Sequence, residues 1–137
     1  MIVYVFGNPD ASIDKGAFIA VDKLKINYPN FYKSVEFRVV KPNADLPFDT
    51  GENVILLDVV QGINKVELIA NNQIDYLTTS PRTSVHDFDL GFQLKYLKKL
   101  GKIGRVTIIG IPAQGEPDYK RIHSILRKLV AQDMHGS

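Results

Sequence analysis

Apolar positions along this chain change their spacing in blocks, and each block predicts an element. Met1 to Phe6 (MIVYVF) is a nearly continuous apolar run that stops at Gly7-Asn8-Pro9, which reads as a buried strand entering a turn. Ala17, Ala20, Val21 and Leu24 then recur at helical spacing, predicting an amphipathic helix from about Ile13 to Ile26 with Ser12 as its N-cap and Asp14 in its first turn. Val35, Phe37 and Val39 alternate with Glu36 and Arg38, the pattern of a half-buried strand near a sheet edge. Lys41 to Glu52, with two prolines and a glycine, reads as a loop. Val54-Ile55-Leu56-Leu57 is bulky on both faces and ends at Asp58, which suits the central strand.

The second half continues the alternation of strands and helices. Lys65 to Ile69 is a short strand that follows too soon for a crossover helix, so it is expected to pair antiparallel. Asn71 to Val85 is polar and long enough to suggest a functional loop. A helix is expected from about Asp87, burying Leu90, Leu94 and Leu97 and stopping at Gly101. Arg105 to Gly110 is a further strand. The last helix opens with Pro117 at its first position and Asp118 in its first turn, and carries Ile122, Ile125, Leu126, Leu129 and Val130 on one stripe. The order β-α-β-β-β-α-β-α fits an α/β fold, a three-layer α/β/α sandwich around a mixed, mainly parallel sheet. With 137 residues, no linker and no repeat, residues 1–137 form a single domain.

Composition narrows the chemistry. There is no cysteine, which excludes disulfides, thiol nucleophiles and thiolate metal sites. A net charge of +2 does not argue for nucleic acid, and Lys95, Lys98, Lys99, Lys102 and Arg105 read as a solvated helix face and turn. The opening apolar run is too short for a signal peptide, and no stretch approaches the ~20 residues needed to cross a bilayer. A soluble, cytoplasmic protein without a membrane partner is the expectation. Neither G-x-G-x-x-G nor a P-loop glycine-lysine pair follows the first strand, and there is no G-x-S-x-G elbow.

Ligands of open α/β sheets bind outside the carboxyl ends of the strands, and three polar groups fall at such places. Asp14 follows the first strand, Asp58 ends the central one, and His86 closes the long polar loop. Two carboxylates and an imidazole from three separate segments suit a three-ligand metal site with open positions. Each also has a simpler reading. Asp14 suits the positive end of a helix dipole, and His86 suits a capping or packing role. Asp58, a carboxylate closing an apolar run, requires hydrogen bonds or a metal.

These residues also sit in segments that resemble one family. VYVFGNPDASIDKGAFIAVDKL looks like the first strand, Gly-Asn turn and helix of the endopeptidases that mature nickel-iron hydrogenases. ILLDVVQG, SVHDFDLGFQLKYL and RVTIIGIP are similar to their following segments, in the same order over nearly the whole chain. The resemblance implies a five-stranded twisted sheet in a phosphorylase/hydrolase-like fold. It implies that Asp14, Asp58 and His86 are the metal-contacting and catalytic residues, and that Gly7 and Asn8 shape the site. The implied cofactor is nickel carried by the substrate, and the implied partner is the precursor of the hydrogenase large subunit, whose C-terminal extension is removed by a monomeric enzyme. The chain departs from the family pattern at Ile13-Asp14-Lys15, where a lysine replaces the usual small residue; Asp10 is the alternative acid if the register shifts. Lys15 and the short chain motivate the alternative, a non-catalytic metal-dependent chaperone or binding protein on the same fold.

Overall fold

The computed structural model describes residues 1–41, 51–60, 62–69, 101 and 103–135. The long polar segment, His86 and the helix expected from Asp87 lie outside the described residues. Five strands form one sheet: β1 (Ile2–Phe6), β2 (Glu36–Val40), β3 (Glu52–Val60), β4 (Glu67–Ile69) and β5 (Ile103–Pro112). Their order is β2-β1-β3-β5-β4. The first four strands in that order run parallel, and β4 pairs antiparallel with β5, as its short connection to β3 requires.

Parallel strands are covered on both faces, which is why β1 and the middles of β3 (Val54 to Leu57) and β5 (Val106 to Ile111) are largely apolar. One face carries Val3, Val5, Leu57, Val59, Ile109 and Ile111. Against it lie α1 (Lys15–Asn27), through Ala17, Ala20, Val21 and Leu24, and α3 (Tyr119–His135), through Ile122 and Leu126. The small side chains Ala17 and Ala20 let α1 lie close to the sheet. The other face carries Tyr4, Phe6, Val54, Leu56, Val106 and Ile108, all buried. A single turn, α2 (Pro29–Tyr32), follows α1.

Several boundaries differ from those expected. Ser12 caps nothing: it opens a 3-10 turn, Ser12–Asp14, and Asp14 takes the position before α1 without capping it. The carboxylate of Asp14 is drawn back to the preceding turn instead, a tertiary contact that outweighs the local one. β3 runs on past Asp58 through Val59 and Val60, because β5 on its outer side continues the ladder to Val60–Pro112. α3 begins at Tyr119 rather than at Pro117. Asp118 is its cap, with Oδ1 accepting the Arg121 N–H at 3.1 Å.

Candidate active site

The sheet order creates a crevice. From β1 the chain passes through α1 to β2 on one side, and then crosses to β3 on the other. The connections diverge at the carboxyl ends of β1 and β3, where ligands of open α/β sheets bind. Both predicted carboxylates are there.

Asp14 is delivered by the Gly7-Asn8 turn. Gly7 leaves β1 with φ of 148°, its N–H bonded to the Val40 carbonyl at 3.0 Å. Such a backbone favours glycine. The Asn8 side chain closes the turn by accepting the Asp10 N–H at 3.0 Å, and its carbonyl accepts the Ala11 N–H. The 3-10 turn then brings Asp14 back, so that its Oδ2 accepts the main-chain N–H of Asn8 at 2.8 Å. Space at Gly7 is as demanding as its φ: a Cβ there would lie 3.0 Å from both Cβ and Cγ of Asp14. Asp14 is 1% exposed, while Lys15 beside it faces solvent. The chain therefore turns its acid inward and its lysine outward. Asp10 is exposed, and its main chain belongs to the turn.

Asp58 stands in β3 directly beside Phe6, the last residue of β1, and beside Gly110 of β5. It is 0% exposed. Gly110 provides the bare neighbour on that side, and a Cβ on it would press against Val60 and Ile63. The 3-10 turn bearing Asp14 also packs on β3. The register thus sets Asp58 level with Phe6 and the Asp14 carboxylate against Gly7, one residue further along. Among the described residues no third histidine or acid joins them in a metal-sized cluster, and His86, the expected third member, lies outside the described residues.

Two buried carboxylates at a strand-end crevice are costly to maintain unless they are bonded or serve a cation, and main-chain donation from Asn8 meets that need for one oxygen of Asp14. Carboxylate oxygens such as these suit a divalent cation, while the imidazole expected to join them, His86, lies outside the described residues.

Sequence reasoning missed a second polar group. His123 of α3, 8% exposed, accepts or donates at Nδ1 with the Tyr32 hydroxyl at 2.8 Å. Its ring stacks on Tyr28 with centroids 3.6 Å apart and meets the edge of Phe31 at 5.1 Å. Burial, and secondarily the charge of Arg127, hold its pKa below the ordinary imidazole value, while burial pushes the Tyr32 hydroxyl well up. The signal was available: His123 lies between Ile122 and Leu126, one turn beyond Tyr119, at the edge of the apolar stripe.

No protein-family model and no curated protein matches the sequence. Solved structures do match. The hydrogenase maturating endopeptidase HybD from E. coli superposes with a TM-score of 0.65 at 18% identity, covering 98% of this chain and 93% of that one. An endopeptidase from Escherichia coli solved in solution gives a TM-score of 0.63 at 16% identity, over 96% of this chain and 91% of that one. The chain shares their fold.

Proposed function

We propose that the chain is an endopeptidase that removes the C-terminal extension from the nickel-loaded large-subunit precursor of a nickel-iron hydrogenase. The observation that carries this reading is the pair of buried carboxylates, Asp14 and Asp58, at the switch-point crevice of the fold. The shared fold of two endopeptidases, one of them named for hydrogenase maturation, supports it. Asp14, Asp58 and His86 would contact the nickel seated in the precursor, and Gly7 and Asn8 would hold Asp14 in position. Water then adds to the scissile carbonyl, the C–N bond breaks, and a new carboxylate and amine leave; no redox partner is needed. The enzyme acts as a monomer in the cytoplasm.

Mass spectrometry of a nickel-loaded precursor incubated with the protein tests this. The expected result is loss of the tail mass with the wild type and at least a ~100-fold slower loss with Asp58→Asn or His86→Ala, in line with removal of a group that contacts the reacting centre. Equal rates in wild type and both variants would overturn the reading. One observation favours the second reading, a metal-dependent chaperone on the same fold: Lys15 places an exposed cation directly after Asp14. Stable complex formation with an unchanged precursor mass would establish that alternative.

A further inference from the structure

The opposite end of the sheet carries its own irregularities. Between Glu52–Ile103 and Val54–Val106 the β3–β5 ladder shifts register, so that Gly104 and Arg105 together oppose Asn53. The Asn53 Oδ1 accepts the Arg105 main-chain N–H at 2.9 Å. Only glycine fits beside it: a Cβ on Gly104 would lie 2.5 Å from that oxygen and 2.9 Å from the Gly51 carbonyl. A bulge of this kind bends its strand and re-aims a side chain, and here the side chain is Arg105.

Arg105 borders a half-open cleft of about 310 Å³ at the amino ends of β1, β3 and β5. Ile2, Ile55 and Leu129 give the cleft an apolar wall, and Asn53 and Gln132 add amides beside Arg105. The acid in the lining, Glu52, is already engaged, its two oxygens accepting the Tyr4 hydroxyl at 3.0 and 3.2 Å. Among the described residues the exposed guanidinium of Arg105 has no ion-pair partner. Because Asn53 spends its oxygen on the strand, its NH₂ remains to donate. The volume is at the small end of ligand clefts.

We propose that this cleft is a second binding site, which takes a short apolar chain ending in a carboxylate, as a peptide carboxyl terminus or a small aliphatic acid presents. Arg105 pairs with the carboxylate as a two-pronged donor, the amides of Asn53 and Gln132 serve its remaining lone pairs or an adjoining peptide group, and the apolar wall covers the chain. The site lies roughly 17 Å from Asp58 along β3, at ~3.4 Å per residue, and does not depend on any proteolytic role.

Titration of the ¹⁵N-labelled protein with N-acetylleucine, followed by amide shifts, tests the assignment. The expected result is saturable movement confined to the Asn53, Arg105 and Gln132 region. Affinity is expected to fall at least about 10-fold for N-acetylleucine amide, which lacks the charge, and by a similar factor in Arg105→Gln. That variant keeps the main-chain bond to Asn53, so its spectrum should otherwise match the wild type. Hexanoate binding as tightly as N-acetylleucine would assign the site to aliphatic acids, and weaker binding to peptide termini; either result supports a carboxylate site. Absence of saturation with both acids, or indifference to the amide and to Arg105→Gln, overturns it.

Discussion

Gly7 shows how one backbone position governs a buried carboxylate. Its φ of 148° is sterically unfavourable for a side chain, and a Cβ would meet Asp14 at 3.0 Å. Gly7→Ala is therefore expected to cost about 1–3 kcal/mol, measured as a lowered denaturation midpoint, and to dislodge Asp14. Asn8→Ala should be milder, about 0.5–1.5 kcal/mol, because the donor that holds Asp14 is main chain and only the Asn8–Asp10 bond is lost. A reversed ranking in chemical denaturation would show that the turn, and not the close approach at Gly7, dominates. At this scale the sequence was informative about which groups matter and less so about how they are held. A glycine after an apolar run and an aspartate ending another are visible as types. The contact between Asn8 and Asp14 depends on a 3-10 turn that no local pattern distinguishes from the first turn of a helix.

At the scale of elements, the five strands and the two long helices α1 and α3 followed from periodicity, and their ends did not; α2 was not anticipated, and the helix expected from Asp87 lies outside the described residues. Ala17, Ala20, Val21, Leu24, Ile122 and Leu126 are buried as their spacing requires. Strand ends are set by neighbours instead. β3 passes through Asp58 because β5 lies beside it to the end, although a charge in a strand reads locally as a stop. Caps follow the same rule. Ser12 has the composition of an N-cap and performs no capping, whereas Asp118 does cap, so the two make a matched comparison. Asp118→Ala is expected to destabilise by about 0.5–2 kcal/mol, and Ser12→Ala, an exposed position, to stay within about 0.5 kcal/mol of wild type. Urea denaturation of both variants checks the pair, and comparable losses would contradict the capping assignment.

The molecule as a whole is held together by contacts between segments far apart in sequence, and those are the ones that patterns along the chain cannot show. The mixed sheet and its crevice were legible, because a short β3–β4 connection excludes a parallel pairing and strand-end acids mark the carboxyl edge. The closure of α3 onto the β1–α1–α2–β2 half was not, because it depends on His123 meeting Tyr28, Phe31 and Tyr32 from 91 to 95 residues away. This cluster is expected to make global stability depend on pH. Among the described residues, the titratable groups meeting the imidazole are Tyr28 and Tyr32, with Tyr119 against the Tyr28 ring, Arg127 one turn further along α3 and Lys25 over the neighbouring Phe37 ring. None of these is an acid that would welcome a protonated ring. The folded pKa of His123 is depressed by burial and by Arg127, whereas the unfolded chain titrates near the ordinary ~6.5. Above that value both states are neutral, and the full contribution of the cluster is present. As the pH falls below it, the unfolded chain takes up a proton that the folded one refuses, so stability declines until the depressed folded value is reached and then levels. Thermal melts between pH 7.5 and 5 should therefore show a falling midpoint in the wild type and a flatter profile in His123→Gln, which retains a polar group for Tyr32. Tyr32→Phe, which removes the hydroxyl while the ring stays buried, should lower the midpoint at pH 7.5 by about 1 kcal/mol of stability and leave the imidazole to titrate. Parallel profiles for wild type and His123→Gln would show that other groups carry the acid sensitivity.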